Sequence, residues 1–188
     1  RPDIVAIHME DPQACVANSR LLGYADWIAA NDLSAWKLYR MRLAEMGKKE
    51  AAKRVLLWNP LGISPSGLAV ARGSKAARDI DVAILGYPYP SRAQTVKDFL
   101  KDVPSSWRVA LVGDGWEKAA AGFVRGNVFT RPTLPENDTV ALLSRAKICL
   151  LSHRRQEDIG GFPVCAPESV HRGFLEAACG CALLLDND

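Results

Sequence analysis

The sequence predicts an α/β fold: a parallel sheet with helices on both faces. Two observations carry this. Short, almost wholly apolar runs such as Asp81–Gly86, Trp107–Val112, Lys147–Ser152 and Cys181–Asp186 have the character of buried strands. Amphipathic stretches separate them, so strand and helix alternate along the chain.

Composition permits such a core. Of 188 residues, 48% are apolar and 24% charged, as in an ordinary globular protein. The net charge is +3, with basic residues scattered among acidic ones, so no concentrated basic face marks a nucleic-acid binder. No apolar run approaches the roughly 18 residues that span a bilayer, and no signal peptide is visible. Five cysteines stand at 15, 149, 165, 179 and 181. Their odd number and apolar settings fit buried free thiols in a reducing, cytoplasmic setting. Cys179-Gly180-Cys181 lacks the spacing of a zinc site, so no metal is expected.

Asp3–His8 is the first expected strand, and Asn18–Ala25 is mildly helical. Asp26–Ala30 is a second strand, with Asn31-Asp32 as a cap for a helix over Leu33–Met46. Trp36, Tyr39, Leu43 and Met46 share a face of that helix. Gly47 stops it, and Arg54–Trp58 is a third strand. From 63 to 80 the composition turns to Gly, Ser, Pro and Ala with Arg and Lys, which reads as a linker. The expected organisation is thus a remnant of an N-terminal domain over 1–62, a linker over 63–80 and a second domain over 81–188. The opening at Arg1 without a Met, and the stop directly after a strand, lead us to expect a fragment of a longer protein.

In the second domain, helices are expected over Ser91–Leu100, Trp116–Phe123, Asn137–Ala146 (capped by Asn137 or Asp138) and His171–Cys179, with a further strand at Asn127–Thr130. Right-handed crossovers then give a doubly wound, Rossmann-like sheet. Ligands of such sheets bind beyond the carboxyl ends of the strands.

Gly86 follows a strand and leads into a helix, where backbone can approach a phosphate; Arg92 in the first turn offers a bidentate contact to a diphosphate. A tight turn with a solvated arginine explains the same residues equally well. Gly113-Asp114-Gly115 lacks the third glycine of a dinucleotide fingerprint, with Lys118 in its place, which argues against NAD or FAD. His153, Arg154 and Arg155 follow a buried strand and could meet a base or phosphate; solvation is the commoner fate of such charges. His8, with Glu10 and Asp11 after it, ends the first strand. Asp186-Asn187-Asp188 has an Asp-x-Asp pattern too short to signal a metal.

Glu168 and Glu176 form the strongest cluster, Glu176 lying among Phe174, Leu175, Ala177, Ala178 and Cys179. A carboxylate in apolar surroundings requires donors, and paired ribose hydroxyls supply them; an exposed glutamate on a helix face is the plain alternative.

The segment Glu168, Gly173, Phe174, Leu175-Glu176-Ala177-Ala178-Cys179-Gly180, followed by Ala182–Leu185, resembles the paired-glutamate motif of retaining GT-B glycosyltransferases. The likeness extends to the spore-maturation CgeB-like members of the glycosyl transferase group 1 family, through Leu85-Gly86 to Arg92 and through His153-Arg154. The resemblance implies a GT-B fold and a metal-independent transfer of a sugar from a nucleoside-diphosphate sugar to an acceptor hydroxyl. It implies no cofactor. Glu176 would bind the ribose, and Glu168 would lie near the donor sugar. Gly86 and Arg92 would face the diphosphate, with His153, Arg154 and Arg172 also in the donor site. His8 is a second catalytic candidate on its own position, at a strand end before Glu10, and an epimerase would need such residues. Arg172 stands four residues before Glu176, where the family has its arginine three before. A nucleotide-sugar epimerase and a non-catalytic binding or scaffold domain share this architecture.

Overall fold

A computed structural model of the chain describes residues 3–8, 19–30, 33–58, 63–152 and 179–185. They belong to two compact units, divided between residues 61 and 62.

In the first unit, strands β1 (Val5–His8), β2 (Trp27–Ala30) and β3 (Val55–Leu57) pair in that order, all parallel. Helices α1 (Leu33–Glu45) and α2 (Lys49–Ala52) follow β2. The mildly helical stretch near residue 20 is a single 3-10 turn, Ser19–Leu21. Ile28, Ala30 and Val55 pack with Ala35, Leu38, Tyr39 and Leu43 of α1. The expected helix face is therefore present for Tyr39 and Leu43, with Trp36 half-buried at its margin and donating from Nε1 to the Val55 carbonyl at 3.0 Å. Met46 is exposed instead. Gly47, at φ 73°, ends the helix first, and the Lys48 amide turns back to the Leu43 carbonyl in a left-handed cap.

The second unit holds β4 (Ile80–Leu85), β5 (Val109–Val112), β6 (Val128–Arg131), β7 (Ala146–Leu151) and β8 (Ala182–Leu185). They lie in the order β6-β5-β4-β7-β8, every pair parallel. Among the described residues its helices are α3 (Pro65–Gly73), α4 (Pro90–Asp102), α5 (Trp116–Ala119) and α6 (Glu136–Leu143). Successive strand residues point to opposite faces. Ala83, Leu85, Ala110, Val112 and Cys149 meet α3 and α6 on one face. Val82, Ile84, Val109, Leu111 and Leu150 meet α4 and α5 on the other. Each large aliphatic side chain so buried contributes about 1.5–3 kcal/mol relative to exposure. This double coverage is why the strands are apolar on both faces. Cys149, Cys179 and Cys181 are buried, as their apolar settings predict.

Helix α3 occupies the stretch that composition marks as a linker. Ser64 caps it by accepting from the Gly67 amide at 3.0 Å, and Pro65 opens it, where a missing N–H does no harm. The Ser64 hydroxyl in turn donates to Glu136 Oε1 at 2.6 Å, which ties the helix start to α6. Helix α6 begins at Glu136 after Pro135, so Asn137 and Asp138 lie inside its first turn rather than at the cap. The acidic Glu136 and Asp138 there suit the positive end of the helix dipole.

At the amino edge of the sheet, Asp79 accepts from Arg145 and Arg108, and Asp81 from Lys147. The Arg145 hydrogen bond, ahead of the Arg108 contact, holds the Asp79 carboxyl well below the usual carboxylate range. Lys147 and then the Arg108 amide lower that of Asp81.

Candidate functional site at the carboxyl edge of the second sheet

From β4 the chain builds outward to β5 and β6 on one side, then returns to place β7 and β8 on the other. The order reverses between β4 and β7, which is where an open parallel sheet leaves a crevice for a ligand.

The loop after β4 is held by its neighbours. The Gly86 amide donates to the Val112 carbonyl at 2.8 Å, and the Gly86 carbonyl accepts from Trp116 Nε1 at 2.7 Å. Gly113 lies at φ 141°, and a Cβ added there would stand 2.6 Å from the Gly86 oxygen. The two strand ends can approach this closely only because residue 113 has no side chain. The Gly113 amide donates to the Arg131 carbonyl, joining the end of β6 to the same edge.

Asp114 fixes the next loop. Its carboxylate accepts from the Thr133 amide at 3.0 Å and the Thr133 hydroxyl at 2.9 Å. Those two bonds, the amide first, lower the Asp114 pKa. The Thr139 hydroxyl donates to the Leu134 carbonyl at 3.3 Å. Leu85, Gly86, Tyr87, Val112, Gly113, Thr133, Leu134 and Thr139 together line an open cleft of about 120 Å³. Its walls are aliphatic and aromatic, with two hydroxyls and the backbone of two glycines. Such a surface suits a flat organic ring with a few polar edges.

Of the residues singled out from sequence, Gly86 lines this cleft, in the left-handed region at φ 111°. Arg92 is only 4% exposed. It donates from Nε to the Ser152 carbonyl at 3.1 Å and from a terminal nitrogen to the Tyr87 carbonyl at 2.7 Å. Its guanidinium carbon stands 5.4 Å from the centre of the Tyr89 ring. Arg92 thus joins the two loops that flank the crossover between β4 and β7. His8 ends β1 of the first unit, in register with Ala30. His153, Arg154, Glu168, Arg172 and Glu176 lie outside the described residues, as do the Asn31-Asp32 cap, the expected helix before Cys179 and the Asp186-Asn187-Asp188 pattern.

Sequence reasoning pointed to the loop from Gly86 to Arg92 without singling out Tyr87, and it did not reach Thr133, Leu134 or Thr139. The rule that ligands gather beyond strand ends applies to β6 as much as to β4, and would have found the 132–134 loop. Among the described residues no cluster of His, Cys, Asp and Glu is arranged to hold a metal ion.

No protein-family model and no curated protein matches the chain. Solved structures do. Anabaena HepE, crystallised with UDP and glucose, superimposes with a TM-score of 0.54 at 14% identity, over 95% of this chain and 51% of its own. The fold is of the GT-B type. It combines a Rossmann-like sheet in the second unit with an α/β unit before it. The chain spans about half the length of this GT-B structure. No helix among the described residues is long and apolar enough to cross a membrane.

Proposed function

We propose that the chain is the donor-binding part of a glycosyltransferase that moves a sugar from a nucleoside-diphosphate sugar to an acceptor hydroxyl. The carrying observation is the cleft at the carboxyl edge of the β6-β5-β4-β7-β8 sheet, where Gly113 lets the ends of β4 and β5 come close. A neighbour of the same fold holds UDP and glucose, which supports a nucleotide-sugar ligand. Helix α4 starts at Pro90, four residues after Gly86, and its amino end favours the charge of a diphosphate.

In the reaction, the bond from the anomeric carbon to the diphosphate breaks, and the diphosphate leaves with the electron pair. A new bond forms from that carbon to the acceptor oxygen, whose proton passes to a base. The amino end of α4 and the basic residues Arg154 and Arg172 neutralise the departing charge without a metal. Glu176 takes the ribose hydroxyls and Glu168 lies by the donor sugar, while His8 stays a catalytic candidate of the first unit. The run from Leu85-Gly86 to Arg92, with His153-Arg154, supports the narrower CgeB-like reading, and the odd number of cysteines in apolar runs supports a cytoplasmic setting.

The test is a thermal-shift panel of UDP, GDP, dTDP and CMP compounds on the wild type and Glu176→Ala. A wild-type shift that disappears in the variant is expected. No shift with any nucleotide favours a scaffold role and contradicts the proposal.

A further inference from the structure

Among the described residues of the second unit, Tyr87 and Val124 are the large apolar side chains left exposed. Trp116 is fully buried. Trp107, Phe99, Phe123 and Phe129 pack against the cores. Tyr87 differs from these aromatics in two respects: it is 49% exposed, and it lines the cleft.

Its loop is also unusually fixed for a segment that carries an exposed ring. The Tyr87 carbonyl accepts from the Tyr89 amide at 2.9 Å and from Arg92 at 2.7 Å. Pro88 and Pro90 restrict the backbone on its carboxyl side, and Gly115 approaches Pro88 so closely that a Cβ would stand 3.3 Å from its ring. The Tyr89 ring meets the Tyr87 ring edge-on, with centroids 6.3 Å apart. A ring held this way loses little freedom when a ligand packs on it.

The rest of the cleft indicates what would pack there. None of its described lining residues is charged, so it is a poor seat for a phosphate. The Thr133 and Thr139 hydroxyls both donate their protons within the protein, so toward the cleft they present acceptor lone pairs. A planar group with N–H donors on its edge and a π-face for an aromatic ring satisfies all three features.

We propose that the Tyr87 ring is the stacking wall for the base of the bound nucleotide. This rests on the nucleotide-binding reading above and adds the residue that grips the base. The phosphates then extend out of the cleft toward the start of α4.

Calorimetric titration of UDP and GDP into wild type, Tyr87→Phe, Tyr87→Leu and Tyr87→Ala tests this. Base stacking on an aromatic side chain predicts that Tyr87→Phe binds within about two-fold of wild type, while Tyr87→Leu and Tyr87→Ala bind about ten-fold or more weakly. Melting temperatures are expected to be nearly the same, because the ring is half exposed, so weaker binding reports the site and not the fold. If Tyr87→Leu binds as well as Tyr87→Phe, bulk rather than stacking holds the ligand and the inference is overturned. Equal binding by Tyr87→Ala and wild type overturns it too, while the nucleotide-binding reading stands. A wild type that binds neither nucleotide brings down both.

Discussion

Replacing Gly113 by alanine tests the geometry on which the cleft depends. The residue sits at φ 141°, where an L side chain is strained, and the new methyl group would stand 2.6 Å from the Gly86 oxygen and 2.8 Å from its carbonyl carbon. Both obstacles are backbone, so no flexible side chain can swing aside. Unfavourable φ contributes about 1–3 kcal/mol, and overpacking against fixed atoms contributes a similar about 1–3 kcal/mol. A loss of about 2–6 kcal/mol follows from these two sources. For a unit of this size that lowers the melting temperature by roughly 10–20 °C. Gly122→Ala is the matched control, since a Cβ there meets nothing within 4 Å and its φ is ordinary. Circular dichroism melts of the two variants give the answer. Equal stability of Gly113→Ala and Gly122→Ala would refute the close approach of β4 and β5 described above.

Arg92→Ala removes a buried guanidinium from the Tyr87 and Ser152 carbonyls, and urea denaturation should show a loss of about 2–4 kcal/mol. Arg92→Lys should recover little of this, because one ammonium cannot reproduce the fork; wild-type stability in either variant would mean that the arginine does not brace the loops. The Asp79 cluster predicts acid sensitivity. A carboxylate whose folded pKa lies below its unfolded value stabilises fully above the unfolded value, and that stabilisation is lost as pH falls through the folded one. Melting temperature should therefore fall below about pH 4 in the wild type and fall less steeply in Asp79→Asn, with identical slopes counting against the cluster's role.

The strands were legible because burial on both faces demands uninterrupted apolar runs. Ile80–Leu85 and Ala146–Leu151 show that demand directly, as do the alternating cores that receive them. Helix α3 was not legible from composition, since Pro, Ser and Gly dominate its first turn. Yet Ser64-Pro65 is a cap followed by a proline at the first helical position, a signal that local chemistry carries and bulk composition hides. Met46 looked like a core residue by spacing alone, but the glycine after it ends the helix before that spacing can place it inside. At the site, Gly86 could be picked out because it follows a strand and leads into a helix, although a plain tight turn fitted the same sequence. Arg92 could be picked out too, but not its contacts, because nothing in the local sequence says that its guanidinium turns inward to Ser152, sixty residues away. Thr133 escaped for a similar reason: its place is set by Asp114, nineteen residues earlier.

The central claim is that a nucleotide sits over the ends of β4, β5 and β6. Amide hydrogen exchange with and without UDP measures this directly. Slower exchange is expected on peptides covering 85–92, 112–116 and 131–139, with the far edge near Asp79 and Asp81 unchanged. Saturating UDP that leaves those three segments as they were, or protects only the opposite edge, contradicts it.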